Sequence, residues 1–417
     1  MKKIFSANSK MVKSLNRSLV LNAVKNFEPI SRRDIAIRLD LSPSSVSNIT
    51  DRLIKEGFIR EIGPGHSKDP GRKPILLEIN PSTWHVIGID LERVSSVKAG
   101  IVNLKGKLLA KSEETIKNFS PTHVVGKISR LVKILLDRAK VDKGKILGIG
   151  IGTPGLLDKK EGKVIYSVYP GWRNVEIKKL IEEVTELPVV IDTDTNAPAL
   201  GEHWFGAGKK ARNLIYITIG PGVGAGIIIG GKIYQGVDGT AGEFGHTVID
   251  PEGPLCRCGN RGCLETLAAE PSLVNRVKRS IESGKKTTIT ESVSKEEITP
   301  EVIYKAALEG DSLAREAIAQ VGRYLGMGVI GLINLLNPEF IIIGGRIIQA
   351  ARLLIQSVED VVSRYALPIP ARRVRILPAY LGEDAGVIGA ATLVLQNIFE
   401  IPELSVQFSD MKSFKFK

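Results

Sequence analysis

The sequence predicts a protein of two unlike parts, an N-terminal winged helix-turn-helix followed by a two-lobed α/β module. The distribution of charge and the pattern of predicted strands and helices indicate this division. Residues 1–80 carry 15 Lys/Arg against 8 Asp/Glu, a net of +7, whereas the rest of the chain adds only +6 to the total of +13. From about Trp84 the pattern changes to alternating strands and helices. The basic first fifth therefore indicates a polyanionic partner, and the remainder indicates an α/β fold.

Length and composition are those of a soluble globular protein. A chain of 417 residues with 43% hydrophobic content is expected to form two or three domains. The N-terminal "MKKIFSANSKMVK" lacks the apolar run of a secretory signal, and runs such as "GIIIGG" are too short to span a membrane. Three cysteines cannot all pair, so we expect the protein in the reducing cytoplasm, with no membrane partner.

Three helices are predicted within residues 1–80. Ser31 and Ser42 are expected to cap the second and third, Pro43 suits a first helical position, and Gly57 ends the third. Ser31 also precedes Asp34 by three residues, as in a capping box. The expected buried faces are Leu19, Val20, Val24 and Phe27 in the first helix, Ile35 and Leu39 in the second, and Val46, Ile49 and Leu53 in the third.

The second and third helices are joined by a tight turn, which predicts a helix-turn-helix whose later helix is the recognition helix. Its outward side chains are mostly small and can hydrogen-bond to base edges or phosphates. These predicted DNA-binding positions are Ser44, Ser45, Ser47, Asn48 and Arg52.

A β-hairpin is predicted after these helices, with strands "FIREI" and "ILLEIN" flanking a basic tip, "GPGHSKDPGRKP". This is the wing of a winged helix, and Arg72 and Lys73 at its tip suit a minor groove or phosphates. The alternative is a small helical interaction domain with a solvated charged loop. The stretch resembles the winged-helix domain of sugar-responsive repressors, in which a "GGRRP"-like wing is usual.

The remaining segments appear in a recognisable order: "GIGTPGLLD", "PGWRN", "DTDTNAPALGE", "GPGVGAG", "GTAGEFGH" and "CRCGNRGCLE". In this order they resemble the ROK family, named for repressors, open reading frames and sugar kinases. The resemblance covers about residues 10–400 and implies an actin/hexokinase-like (ribonuclease H-like) fold. We expect the winged helix at 1–80, lobe 1 at 84–195 completed by a C-terminal helix at about 384–400, and lobe 2 at 196–383.

All three cysteines lie at 256, 258 and 263, in a tight Cys-x-Cys-Gly-x-x-Gly-Cys knuckle. Three thiolates need a fourth ligand for tetrahedral Zn²⁺, and His246 lies ten residues before the first cysteine. Cys256, Cys258, Cys263 and His246 are therefore the predicted ligands. With no open position, this zinc is expected to be structural. A redox or incidental thiol cluster is the alternative.

The resemblance also implies a sugar pocket. Family sugar kinases place a general base at the Asp-x-Asp-x-Asn turn, which corresponds to Asp194 here. By the same resemblance, Asn196, Glu243, His246 and Glu265 also contact the sugar. Carboxylates suit polyols because each oxygen is a strong acceptor. Kinases usually have Asn directly before the base, whereas this chain has Thr193. For each carboxylate alone, the alternative is a solvated or helix-capping role.

The nucleotide side departs from the kinase pattern. Family kinases follow the first strand with Asp-x-Gly-Gly-Thr, whereas this chain reads "DLERVSS", with Glu92, Arg93 and Val94 after the retained Asp90. The second phosphate loop reads "GPGVGAG", and Pro221 supplies no N–H. ATP and Mg²⁺ are therefore not expected as cofactors.

The expected function is a sugar-responsive repressor that binds operator DNA as a homodimer or higher oligomer. Its degenerate kinase module would sense a sugar or sugar derivative. The enzyme alternative is an ATP-dependent hexose or N-acetylhexosamine kinase, with Asp194 as the base and an accessory DNA-binding domain. A third alternative is a sugar-binding module whose basic N-terminus contacts protein or RNA.

Overall fold

The computed structural model describes residues 9–65, 73–91, 96–168 and 171–400. The chain divides into two units, Met1–Trp84 with Leu395–Lys417, and His85–Val394. The first contains the basic segment, and the second contains most of the alternating strands and helices.

The first unit has the predicted winged-helix order. Its elements are α1 (Ser9–Phe27), β1 (Ile30–Ser31), α2 (Arg32–Leu39), α3 (Pro43–Lys55), β2 (Ile59–Pro64) and β3 (Ile75–Ile79). Strand β3 pairs antiparallel with both β1 and β2 in a three-stranded sheet. The β2–β3 hairpin is the predicted wing, and most of its predicted tip, residues 66–72, lies outside the described residues.

Helices α2 and α3 begin at the predicted caps. The Ser31 hydroxyl accepts a hydrogen bond from the Asp34 N–H at 3.1 Å, and the Ser42 hydroxyl accepts one from the Ser45 N–H at 3.2 Å. Each cap satisfies one of the N–H groups that a helix start leaves without an intrahelical partner. Gly57 follows α3 with φ of +82°, a left-handed conformation that ends the helix at little steric cost.

The predicted interior is correct at most positions. Side chains that are fully buried, as predicted, are Val20, Val24, Ile35, Val46 and Leu53. Phe27 is a wrong prediction, because its ring is 49% exposed and lies 4.2 Å from the guanidinium of Arg38. Phe27 is the last residue of α1, and Leu21 is fully buried nearer the middle of the helix. Predicted core positions that are only half-buried are Leu19, Leu39 and Ile49.

Lobe 1 of the second unit is built on a five-stranded mixed sheet. Its elements are β4 (His85–Leu91), β5 (Ser96–Asn103), β6 (Leu108–Thr115), α4 (Pro121–Ala139), β7 (Ile146–Thr153), β8 (Leu156–Asp158), β9 (Lys163–Tyr166), β10 (Arg173–Val175), α5 (Ile177–Thr185) and β11 (Val189–Thr193). The strand order is β11-β7-β4-β5-β6, and β8, β9 and β10 form a separate antiparallel sheet. Strands β4, β5 and β6 form an antiparallel meander, and β7 and β11 run parallel to β4.

Lobe 2 has a second five-stranded sheet in the order β14-β13-β12-β15-β16. The remaining elements are α6 (Asn196–Phe205), β12 (Leu214–Ile219), β13 (Val223–Ile229), β14 (Lys232–Ile233), α7 (Leu264–Ala268), α8 (Glu270–Glu282), α9 (Ile289–Ser292), α10 (Pro300–Glu309), α11 (Ser312–Leu336), β15 (Phe340–Gly344), α12 (Ala351–Tyr365), α13 (Pro368–Arg373), β16 (Arg375–Pro378) and α14 (Ala385–Phe399).

Two glycines bring α14 against the lobe 1 sheet. A Cβ added at Gly88 would lie 1.9 Å from the Val387 carbonyl oxygen, and one at Gly150 would lie 1.8 Å from the Ala390 carbonyl oxygen. These distances leave no room for any side chain. The glycines in "HVIGIDL" and "ILGIGIG" are therefore required for this helix–sheet contact.

Helix α11 is, within the described residues, the one helix long and apolar enough to span a membrane by length and composition. Its inner face packs in the lobe 2 core, where Leu325, Val329 and Ile333 are fully buried. A Cβ at Gly322 would lie 2.6 Å from Ser357 of α12, so the two helices are in close contact. These contacts are those of a core helix.

Candidate functional site

The turn between β11 and α6 gives its two carboxylates different tasks. Asp192 is 4% exposed, and its Oδ1 lies 2.7 Å from Lys159 Nζ. The same oxygen accepts hydrogen bonds from the Thr193 N–H and the Asn196 side-chain amide. Asp194 is half-buried and lines two cavities. Asp192 therefore braces the turn, and Asp194 faces the space that a ligand would occupy.

Asn196 lies behind this turn rather than at the cavities described below. It is 1% exposed, its amide donates to Asp192 at 2.9 Å, and its backbone N–H donates to the Thr193 hydroxyl at 3.1 Å. Among the described residues, the wall of each cavity that Asp194 lines omits Asn196. The effect of Asn196 on a ligand would thus pass through the turn.

A cavity of about 80 Å³, here named the inner cavity, lies beside Asp194. Its polar wall is formed by Thr193, Asp194, Thr195, Thr240, Glu243, His246 and Glu265. The predicted carboxylates and histidine thus come together from three separate stretches of the chain. Strong acceptors are concentrated on one small space, which favours a ligand rich in hydroxyl donors.

Glu265 is held firmly at the inner cavity, whereas Glu243 is exposed. Glu265 is 8% exposed, and its two carboxylate oxygens accept from the Val223 N–H at 3.2 Å and the Arg257 guanidinium at 3.3 Å. The side chain of Glu243 is 71% exposed and lies 3.8 Å from Nε2 of His246. Glu265 is therefore pre-organised, and Glu243 can adjust to a ligand.

The predicted metal ligands form a cluster. The ligand atoms of His246, Cys256, Cys258 and Cys263 all lie within 4.8 Å of one another. Nδ1 of His246 is 3.6 Å from the Cys256 sulfur, and the Cys258 and Cys263 sulfurs are 3.6 Å apart. His246 directs Nδ1 at the thiols while its ring lines the inner cavity. One side chain thus joins the cluster to the cavity.

The knuckle backbone explains this convergence. Gly259 and Gly262 have φ of +97° and +63°, in the left-handed region that glycine adopts at little cost. A Cβ at Gly262 would lie 1.4 Å from the Asp250 carbonyl oxygen. The Cys256 N–H also donates to the Asn260 carbonyl at 2.7 Å, which closes the turn between the first two cysteines and the third.

The thiols differ in acidity. The Asn260 N–H, the two neighbouring thiols and His246 lower the pKa of Cys258 to about 7. Burial and the neighbouring thiols raise the pKa of Cys263 to about 12. Thiolates bunched this closely repel one another, so full deprotonation needs a cation among them.

The two arginines of the knuckle make their contacts with oxygen atoms. Arg257 reaches the Glu265 carboxylate at 3.3 Å, and Arg261 donates to the Gly253 carbonyl at 3.4 Å. Arg257 therefore fixes a carboxylate of the inner cavity, and Arg261 fixes the knuckle backbone.

On the other side of Asp194 lies a cavity of about 110 Å³, here named the Asp90 cavity. Its charged wall contains Asp90, Asp194, Glu383, Lys98 and Arg346. Lys98 stands directly opposite Asp90 on the neighbouring strand. Arg346 is engaged by Glu270 at 2.5 Å and by Glu301 at 3.2 Å. The balance of charge on this wall is unfavourable for a polyphosphate.

The kinase pattern is altered in two loops of this chain. Glu92, Arg93 and Val94 lie outside the described residues. Pro221 is on the wall of the Asp90 cavity. The following glycines serve packing, because a Cβ at Gly226 would lie 2.4 Å from the Thr195 carbonyl oxygen. The "GVGAG" run thus lets β13 contact the start of α6.

In the first unit, the predicted recognition positions lie along α3. Ser44 and Asn48 are exposed, and Ser45 and Ser47 are half-buried. The Arg52 side chain is 74% exposed and donates to Glu56 at 2.7 Å, one turn further along the helix. Of the two wing-tip positions, Lys73 is exposed and Arg72 lies outside the described residues.

Several residues at the site were not predicted. Lys159 and Asp192 brace the turn, Gly155 and Leu156 line the inner cavity, and Tyr166 lies on the wall of a third cavity that adjoins it. The first Asp of "DTDTN" could have been recognised as a brace, because an Asx side chain commonly bonds to nearby backbone N–H groups. Tyr166 carries no comparable local signal, because the chain brings it to the site from a separate small sheet.

These two parts define a class of protein that combines a winged helix with a hexokinase-like α/β module. A ROK family profile matches residues 86–397, and a MarR family profile matches residues 13–61. The chain belongs to the ROK family.

Two proteins that match nearly the whole chain are regulators by name. A xylose repressor of Caldicellulosiruptor bescii is 37% identical over 401 residues, covering 95% of this chain and 99% of the relative. A solved ROK family transcriptional regulator, a homologue of the Escherichia coli MLC protein, has a TM-score of 0.81 at 32% identity and covers 93% and 97%. A ROK family glucokinase from Streptomyces griseus, solved with glucose and AMPPNP, has a TM-score of 0.69 at 32% identity and covers 75% and 99%.

Proposed function

We propose that this chain is a sugar-responsive transcriptional repressor of carbohydrate genes, with a winged-helix DNA reader and a ROK module as its sensor. One observation carries the proposal: Asp194, Glu243, Glu265 and His246 converge on a single small cavity in a chain that also begins with a winged helix. The similarity to a xylose repressor over nearly the whole of both chains supports it.

The sugar would be held by acceptors on fixed elements. Asp194 and Glu265 would accept hydrogen bonds from hydroxyl groups, and Glu243 and Nε2 of His246 would complete the set. Asn196 would act indirectly, by positioning the turn that presents Asp194.

The donor set of the Cys/His cluster fits a structural Zn²⁺. Three sulfurs and one imidazole nitrogen, all within 4.8 Å of one another, supply the four ligands that a tetrahedral Zn²⁺ site needs. Bound zinc would be closed to water, so it would supply rigidity rather than catalysis. In this arrangement His246 would carry the constraint from the knuckle to the inner cavity.

DNA would be read by α3, through Ser44, Ser45, Ser47, Asn48 and Arg52, with Arg72 and Lys73 at the wing. A homodimer would present two such helices to a palindromic operator. Sugar binding would change operator affinity only by as much as the ligand favours one conformation, commonly about 1–3 kcal/mol.

The second candidate is a sugar kinase, favoured by the position of Asp194 between two cavities. Against it stand the crowded charges of the Asp90 cavity and Pro221 on its wall. Incubation with Mg-ATP and a panel of hexoses and pentoses distinguishes the two. Robust turnover that is lost in Asp194→Asn would make the protein an enzyme, and absence of turnover agrees with a sensor.

The direct test is specific binding to the DNA upstream of its own gene. We expect affinity for that duplex well above that for random duplex of the same length, with a steep fall as salt is raised. Equal affinity for both duplexes would instead favour a module whose basic N-terminus contacts protein or RNA.

A further inference from the structure

A larger cavity adjoins the inner cavity. This outer cavity has a volume of about 270 Å³, compared with about 80 Å³ for the inner cavity. The two share five wall residues: Gly155, Leu156, Glu243, His246 and Glu265. Because the two cavities have these five residues in common, one elongated ligand that contacts Asp194 could also reach the outer cavity.

The wall of the outer cavity differs in chemistry from that of the inner one. It adds Pro154, Tyr166, Ser167, Val168, Arg257 and Cys258. The additions are an aromatic ring, aliphatic surface, a hydroxyl, a guanidinium and the Cys258 thiol, where the inner wall has mainly oxygen acceptors. Sugar rings have apolar C–H faces and polar edges, so this mixture suits a second sugar ring.

Tyr166 is held in position for such a contact. It lies at the end of β9, opposite Arg173 of β10. The Arg173 guanidinium lies 4.6 Å from the centroid of the tyrosine ring, and Tyr166 is still 40% exposed. The electrostatic attraction between a cation and an aromatic face restrains the orientation of the ring. The ring is thus presented to the cavity by the small sheet rather than by a free loop.

Arg257 joins the two cavities. Its side chain is 66% exposed, and one guanidinium nitrogen contacts Glu265 at 3.3 Å. A guanidinium has five N–H donors, so the remaining ones can serve oxygens of a ligand. Glu243 and Glu265 on the same walls make an anionic extension, such as a phosphate or a uronic acid, less suitable than a neutral one.

We propose that the outer cavity is a second sugar subsite, and that the effector is a neutral disaccharide or longer oligosaccharide rather than a monosaccharide. The inference rests on the proposed function, because it assumes that the inner cavity holds a sugar. The first ring would occupy the inner cavity among the carboxylates, and the second would contact Tyr166 and Arg257.

Matched sugars of one and two rings test this inference on the full chain by calorimetry. Suitable probes are xylose with xylobiose, glucose with cellobiose, and N-acetylglucosamine with its β-1,4 dimer. For the preferred pair we expect the disaccharide to bind at least about tenfold more tightly, which is about 1.4 kcal/mol. Tyr166→Ala should abolish that gain and leave the monosaccharide Kd within about twofold, and Tyr166→Phe should restore the gain.

The control is Tyr365→Ala, which removes a tyrosine that is 60% exposed on α12, outside the inner and outer cavities. It should leave both affinities unchanged. A monosaccharide that binds as tightly as its disaccharide would overturn the second subsite and leave the proposed function intact. So would a gain that persists in Tyr166→Ala. Binding of neither length by any pair would overturn the sugar-sensing proposal as well.

Discussion

At the residue scale, two carboxylates of the turn between β11 and α6 are expected to differ in role, one in stability and the other in ligand binding. Asp192 is buried against Lys159, whereas Asp194 lines the inner cavity. Asp192→Asn leaves a buried ammonium without its carboxylate, so we expect a loss of about 3–5 kcal/mol in the free energy of unfolding. Chemical denaturation measures it.

Asp194→Asn should weaken sugar binding and leave the stability of the fold nearly unchanged. The free energy of unfolding should change by no more than about 0.5 kcal/mol, whereas sugar affinity should fall at least about tenfold, since an acceptor for a hydroxyl is weakened. Each variant is the control for the other, because Asp192→Asn is expected to change stability and Asp194→Asn is expected to change sugar affinity. If Asp194→Asn destabilised the fold as much as Asp192→Asn, the assignment of Asp194 to the ligand would be wrong.

Residue chemistry also shows where sequence reasoning reaches its limit. The cluster was predicted correctly, because a short knuckle brings three cysteines together and a tetrahedral site needs a fourth ligand, which is His246 here. Arg257 could not be assigned in the same way. Its position between two cysteines does not indicate a contact with Glu265, which its long side chain reaches. Long flexible side chains are placed by tertiary contacts.

At the element scale, the knuckle depends on its glycines unequally. Both Gly259 and Gly262 have positive φ, but a Cβ would meet nothing within 4 Å at Gly259 and would lie 1.4 Å from Asp250 O at Gly262. Gly262→Ala should therefore abolish metal binding, measured as zinc per chain by mass spectrometry. Gly259→Ala should keep the metal at a cost of about 1–3 kcal/mol in stability.

This matched pair isolates the steric clash from the backbone strain that the two positions share. A chelator should lower the melting temperature of the wild-type protein and of Gly259→Ala, but not that of Gly262→Ala. Full zinc occupancy in Gly262→Ala would contradict the account of how the knuckle brings its sulfurs together.

Helix α3 carries the corresponding prediction for DNA. Asn48 is exposed on the predicted recognition face, so Asn48→Ala should weaken operator binding by about 1–3 kcal/mol and relax preference at the base it contacts. Asn275→Ala removes a similar exposed amide from α8 and should have no effect. Competition binding with point-substituted operators measures both. Equal loss in the two variants would remove α3 from base recognition.

Element boundaries and caps were largely predictable, and the inner faces less so. Ser31 and Ser42 cap the helices as expected because capping is local chemistry. Phe27 was assigned to the core from its spacing, yet it lies in the last turn of α1 under Arg38. Periodicity identifies which face of a helix is buried, but it does not show at which residue the burial ends.

At the scale of the whole molecule, the order of segments was enough to predict a winged helix followed by a two-lobed α/β module. The cavities could not be predicted from that order. The wall of the outer cavity is formed by the small β8–β10 sheet and by the knuckle. Neither stretch of sequence indicates that the other lies next to it. The "GPGVGAG" run was compared with a phosphate loop of the family kinases, and in the structure Gly224 and Gly226 pack against Thr195.

The central claim is that sugar bound in the second unit changes DNA binding by the first. Fluorescence anisotropy of labelled upstream DNA, titrated with the full chain at fixed salt, tests it with and without a saturating sugar identified by calorimetry. We predict a change in operator affinity of roughly 5–150-fold, in either direction, that is lost in Asp194→Asn. Identical binding curves with and without a sugar that demonstrably binds would contradict the account.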